Sequence, residues 1–186
     1  TDLQYLHKIS GPAKEASLRV VSCFARPVFR GPLANTSGLT YEAMFSRAAL
    51  LARSQREAGD YLEFGVFDGR TMTLAWHAMK DIRAMRFFGF DTFKGIAGAL
   101  AEEISYPDGS YYSNLETYWH NMQVANADPA RMRPVAGNFL ETFTDREALQ
   151  ASLGIERCLV AHIHCDVYTA AKASLNFLPK ILVEGS

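Results

Sequence analysis

The chain has 186 residues, 48% hydrophobic and 21% charged, with 19 Lys and Arg against 20 Asp and Glu. That length suits one domain with a sizeable core, and the apolar fraction with so low a net charge excludes a disordered chain. A formal charge of −1 excludes a dedicated nucleic-acid binder, which needs clustered cations.

No apolar run approaches the roughly 18–20 residues needed to span a bilayer, so no membrane partner is expected. The opening Thr1-Asp2-Leu3-Gln4 lacks the basic-then-apolar pattern of a signal peptide, and the missing initiator Met leads us to expect a trimmed start. Three cysteines, Cys23, Cys158 and Cys165, are an odd number at no metal-ligand spacing. Reduced thiols and a cytoplasmic location are expected.

Residues 1–38 are punctuated by Gly11-Pro12, Arg26-Pro27 and Gly31-Pro32, and read as short helical pieces and loops that would serve as a lid or a dimer arm. A homo-oligomer is compatible with this. From Thr40 to about Glu57, Tyr41, Met44, Phe45, Ala48, Ala49, Leu51 and Ala52 recur at helical spacing, with Thr40 as N-cap and Gly59 at the C-terminal end. Asp60-Tyr61-Leu62-Glu63-Phe64 reads as a short buried strand. A glycine turn and a helix over about Thr71–Ile82 follow.

A second strand, Arg86–Phe90, ends at Asp91. After a glycine- and tyrosine-bearing loop come a helix over about Ser113–Asn126, a strand near Met132–Ala136 and a helix over about Asp145–Leu153. A fourth strand, Cys158–Cys165, ends at Asp166 before a helix over about Thr169–Leu178. Alternating strands and helices over 39–186 predict a doubly wound, mostly parallel α/β sheet. Ligands of such sheets sit beyond the carboxyl ends of the strands. Those ends carry Glu63, Asp91, Asn138 and Asp166.

Glu63-x-Gly65-x-x-x-Gly69 at a strand-to-helix turn lets the backbone approach a ligand and turn sharply. The next helix offers its first N–H groups to an anion. A carboxylate beside them repels phosphate and suits a ligand with cationic or hydroxyl groups. Neither Gly-x-Gly-x-x-Gly nor Gly-Lys-Ser/Thr is present, which disfavours a dehydrogenase and a P-loop. A bare structural turn is the plain alternative. Asp91, one strand further, is placed to accept two ribose hydroxyls, and its plain alternative is a turn aspartate. Together the two point to an adenosine-type ligand.

Asp60–Thr71, Phe88-Gly-Phe-Asp-Thr-Phe-Lys-Gly95, Ala136-Gly-Asn-Phe139 and His162-Ile-His-Cys-Asp-Val-Tyr-Thr-Ala-Ala-Lys172 resemble, in order and spacing, the class I S-adenosylmethionine-dependent methyltransferases. The resemblance is closest to the macrocin O-methyltransferase group, which modifies sugars of macrolide antibiotics, and covers roughly residues 38–186. It implies a Rossmann-like fold and methyl transfer from S-adenosylmethionine to an oxygen of a small-molecule acceptor such as a sugar or natural product. By the same resemblance Glu63, Gly65, Phe67 and Gly69 line the cofactor's methionine end. Thr71 caps the helix there, Asp91 holds the ribose with Thr92 and Phe93 by the adenine edge, and Asn138 and Phe139 border the adenine ring. Asp166 stands near the methyl group, as ligand to Mg2+ or as part of the acid–base machinery.

Two departures stand out. Relatives show Asp-x-Asp where this chain has His164-Cys165-Asp166, which makes His164 a second candidate base and leaves the metal open. Relatives also continue with a further strand and an Asp-Asp pair where this chain reaches Leu182–Ser186, so C-terminal strands are expected to be missing. These departures keep open a non-catalytic binding or assembly module. His162, His164 and Asp166 on one strand face also allow a metal-dependent hydrolase, although His7, His77 and His120 lie in unrelated segments. Tyr106, Tyr111, Tyr112 and Trp119 are either acceptor walls or half-buried packing. Met44, Met72, Met79 and Met122 read as core filler, and Cys165 as a buried thiol with no sign of thiolate stabilisation.

Overall fold

Tyr61, Leu62 and Phe64, like Phe87, Phe88 and Phe90, alternate along short strands whose two faces are both buried. Such strands must lie between layers. The computed structural model describes residues 40–96, 109–184 and 186. The N-terminal segment with His7 and Cys23, and Tyr106 after the second strand, lie outside the described residues.

Strands β1 (Asp60–Phe64), β2 (Phe87–Asp91), β3 (Met132–Ala136) and β4 (Cys158–Ile163) form one parallel sheet in the order β3-β2-β1-β4. Glu63 pairs with Gly89 on one side and His162 on the other. β3 is at the edge of this sheet, where Pro134 costs no ladder bond. On the other edge Cys158 forms a parallel bridge with Leu182, and its N–H donates to the Ile181 carbonyl at 2.7 Å. The expected fourth strand reaches only Ile163, because His164 and Cys165 already belong to the turn.

Helices α1 (Tyr41–Ser54), α2 (Arg70–Met79) and α3 (Leu115–Val124) contribute to one core, with Phe45, Ala49, Met72, Met79, Tyr118 and Met122 packed on Tyr61, Phe87 and Met132. Helices α4 (Phe139–Thr142), α5 (Arg146–Leu153) and α6 (Tyr168–Phe177) flank the other, built on Leu62, Phe64, Phe88 and Phe90. This is the doubly wound architecture expected. Each fully buried side chain of this size stabilises the fold by about 1.5–3 kcal/mol. Among the described residues no helix is long and apolar enough to cross a membrane.

Thr40 caps α1 by accepting from the Ala43 N–H at 3.2 Å. The helix stops at Ser54, well before Gly59, because Gln55 is already extended. Arg53 then binds Asp81 with two hydrogen bonds of 2.9 and 2.7 Å and fastens α1 to the end of α2. At the opposite end of the sheet from the strand tips, Arg86 donates to both oxygens of buried Asp60, at 2.9 and 2.6 Å, and to the Gly154 carbonyl at 2.7 Å. This clamp joins β1, β2 and the end of α5.

Arg86→Leu strands the Asp60 carboxylate in a nearly closed site. We expect a loss of about 2–3 kcal/mol in urea unfolding, below the 3–5 of a fully buried pair because Arg86 is partly solvated. A change below about 0.5 kcal/mol would show that the clamp is dispensable.

Candidate functional site

In a sheet ordered β3-β2-β1-β4 the crossovers leave β1 in opposite directions, so a crevice opens beyond the ends of β1 and β4. The turn from β1 to α2 borders it. Gly65 has φ +88°, and a Cβ there would meet the His164 carbonyl oxygen at 3.1 Å, so only glycine lets the turn lie this close to the end of β4. Gly69, also left-handed, is the cap position of α2 and has no side-chain cap bond. Thr71 is therefore not the cap. It lies within the helix, and its hydroxyl donates to Glu63 Oε1 at 2.5 Å.

Glu63 is fully buried on the α1–α2 side of the sheet. Its Oε2 accepts from the Tyr61 hydroxyl at 2.5 Å, and its Oε1 is 3.2 Å from His164 Nε2. His162 Nδ1 is 3.9 Å from Oε2. The two imidazoles stack at 4.4 Å, and Tyr41 and Phe45 of α1 meet His162 edge-on at 5.9 and 5.3 Å. Burial pushes the Glu63 carboxyl up, but the hydrogen bonds and charges of His162 and His164 outweigh it and hold it at about 2. Burial also works against a charged His164, yet Glu63, Asp166 and Asp91 raise its pKa.

Asp91 ends β2 half-buried. Its Oδ2 accepts from the Phe67 N–H and its Oδ1 from the Phe93 N–H, each at 2.8 Å. Phe67 and Phe93 both have left-handed backbones, at φ 53° and 51°. Non-glycine residues rarely adopt that region, so one carboxylate holds two strained turns together. Oδ1 also has the Thr92 hydroxyl at 3.4 Å, while Oδ2 keeps a lone pair for a further donor.

The remaining expected residues divide. Thr92 closes its own turn by donating to the Gly95 carbonyl at 2.7 Å. The Phe93 ring is buried in the core against Tyr118. Asn138 caps the one-turn α4, a helix not anticipated, by accepting from the Leu140 N–H at 2.9 Å. Phe139 packs into the opposite core with its ring stacked on Phe143 at 4.9 Å.

Asp166 is solvent-facing. Partial burial raises its pKa, offset by His164 and reinforced by Asp91. Among the described residues the His-x-His pair is completed as a ligand set by Glu63, and Asp166 is not part of it. Cys165 lies against Ser174, and burial lifts its thiol to about 11, consistent with an inert side chain. Tyr111 meets the Phe67 ring at 6.0 Å, and Trp119 meets Tyr118 at 5.3 Å.

Tyr118 was not singled out by the sequence. It is fully buried, its ring lies beneath Gly69, and its hydroxyl has no hydrogen-bond partner among the described residues. Burial and the Glu63 charge raise its pKa. Its place on the buried stripe of α3 was the available signal.

No family model and no curated protein matches the chain. Several solved structures share its fold, two methyltransferases among them. The calicheamicin methyltransferase CalS11 superposes with TM-score 0.62 at 21% identity, over 96% of this chain and 77% of that one. The O-methyltransferase NovP does so with TM-score 0.63 at 16% identity, over 89% of this chain and 78% of that one.

The Glu63–His164 pair predicts a two-sided pH profile. The depressed Glu63 contributes stability that is complete above about pH 4.5 and drains as pH falls towards about 2. The raised His164 contributes stability that is complete below pH 6.5 and is lost as pH rises through its folded value. Thermal midpoints against pH should show both limbs, and His164→Gln should remove the alkaline one. An unchanged alkaline limb in that variant would contradict the pairing.

Proposed function

We propose that the chain transfers a methyl group from S-adenosylmethionine to a hydroxyl oxygen of a small molecule, such as a sugar or natural product. The observation that carries this is the position of Asp91. It stands at the tip of the strand beside the glycine turn, holds that turn through Phe67, and keeps acceptor capacity for a ribose diol. The fold shared with a calicheamicin methyltransferase and an O-methyltransferase supports the same reading.

The residues present fit the cofactor at both ends. Asp91 suits the ribose. At the turn, the first N–H groups of α2 beyond Arg70, whose own N–H donates to Asp68, are offered to an amino-acid carboxylate. Glu63 acts there from beneath, by fixing Thr71 and His164. Once bound, the cofactor supplies an electrophilic sulfonium methyl, so the protein's tasks are alignment and exclusion of water.

A hydroxyl acceptor must lose its proton as its oxygen takes the methyl, and Asp166 is the group that receives it. His164, positively charged when protonated, keeps Asp166 ionised. Exposed Tyr111, Tyr112 and Trp119 form the acceptor wall. Asp166 belongs to no group of three ligating side chains among the described residues, so no step is assigned to Mg2+.

Calorimetry should show one S-adenosylhomocysteine bound per chain, and Asp91→Ala should weaken it about 10–100-fold through lost charge-assisted hydrogen bonds. No uptake by the folded chain would refute the proposal. With radiolabelled donor and a panel of glycosides and phenols, Asp166→Asn should slow transfer by about 10²–10⁴ while leaving cofactor affinity within about threefold. Full activity in that variant would remove Asp166 from the chemistry.

A further inference from the structure

Glu63, His162 and His164 bring three ligating atoms within 4.8 Å of one another at the junction of β1 and β4. Methyl transfer as proposed above uses none of the three as a ligand. We propose that they form a binding site for one first-row divalent transition-metal ion, with Zn2+ the best match.

The donor set is two imidazole nitrogens and one carboxylate oxygen. That combination favours Zn2+, Co2+, Ni2+ or Fe2+ over Mg2+ and Ca2+, which prefer oxygen alone. His162 near the end of β4 and His164 just beyond it send both rings to one side, where they stack at 4.4 Å, and each ring turns about its Cβ–Cγ bond to aim its in-plane lone pair at a shared ion. Glu63 arrives on the same side because it pairs in register with His162. Metal–ligand bonds of about 2.0–2.2 Å place neighbouring ligand atoms about 3–3.5 Å apart. Glu63 Oε1 and His164 Nε2 are already 3.2 Å apart, and Oε2 and His162 Nδ1, at 3.9 Å, need only a small ring movement.

The surroundings resemble the outer shell of a metal site. Tyr61 and Thr71 hydroxyls each donate to one Glu63 oxygen, fixing the carboxylate plane and leaving a lone pair on each oxygen. Tyr41 and Phe45 wall His162 with apolar rings. The charged groups acting on His164 are all carboxylates, Glu63, Asp166 and Asp91, so the local field favours a cation. His164 is 28% exposed while Glu63 is closed, which gives the ion a route in on one side. With three protein ligands a coordination position stays open.

After stripping with chelator and titration with Zn2+, the chain should bind one equivalent by calorimetry and retain it through dialysis, by elemental analysis. Mg2+ should not compete. The His162→Ala/His164→Ala variant should lose that equivalent, and Asp166→Asn should keep it. Should the double variant fail to fold, imidazole nitrogen shifts of the unmodified chain decide instead: those of His162 and His164 move on Zn2+ addition while those of His77 and His120 stay. Absence of stoichiometric Zn2+ in the folded chain overturns the proposal. So does binding that survives loss of both histidines, or ring shifts confined to the other two. S-adenosylhomocysteine binding is a separate readout, so either proposal can fail alone.

Discussion

A carboxylate in the middle of a parallel sheet, with none of its surface open to water, dictates the arrangement around it. Glu63 takes a position that a hydrophobic residue would otherwise fill, and an unpartnered charge there would cost several kcal/mol. Compensation comes from four directions: Tyr61 two residues back on the same strand, Thr71 from the first turn of α2, His162 from β4, and His164 just past its end. The two histidines reach Glu63 only if β4 lies beside β1 in its observed register, and Thr71 only if α2 starts immediately after a sharp turn. The turn in turn requires Gly65, since its backbone lies against the His164 carbonyl.

Asp91 imposes the second constraint. By accepting from Phe67 and Phe93 it ties the tip of β1 to the tip of β2 and holds two backbones that would otherwise relax out of the left-handed region. Asn121 adds a bond from α3 to the Asp68 carbonyl at 2.8 Å, and Met122 and Tyr118 fill the space under Gly69. The crevice edge is thus set before any ligand arrives, and such preorganisation lowers the ordering cost of binding. Asp166, Tyr111 and Tyr112 are exposed.

The four strands and the long helices were legible because apolar runs and helical spacing are written locally, and the alternation of the two leads to a parallel sheet. Asp91 and the Gly65–Gly69 turn were legible as neighbours at the strand ends, the place where such sheets bind ligands. What escaped was everything decided by register. Nothing local says that Glu63 faces His162, and the sequence instead grouped His162 and His164 with Asp166, which sits past the strand end and turns to solvent. Phe93, in a left-handed turn, and Phe139, the first residue of α4, follow polar residues closely in sequence, yet their rings enter opposite cores. Tyr118 was hidden as one more apolar position on an amphipathic helix. The one-turn α4 is too short to leave a periodic signal.

A crystal structure of the chain grown with S-adenosylhomocysteine tests the central claim most directly. The account requires the nucleoside beyond the ends of β1 and β2, both ribose hydroxyls on Asp91, and the amino-acid end over the turn from Gly65 to Gly69. Density for the ligand elsewhere on the protein, or a ribose that leaves the Asp91 carboxylate untouched, would contradict it.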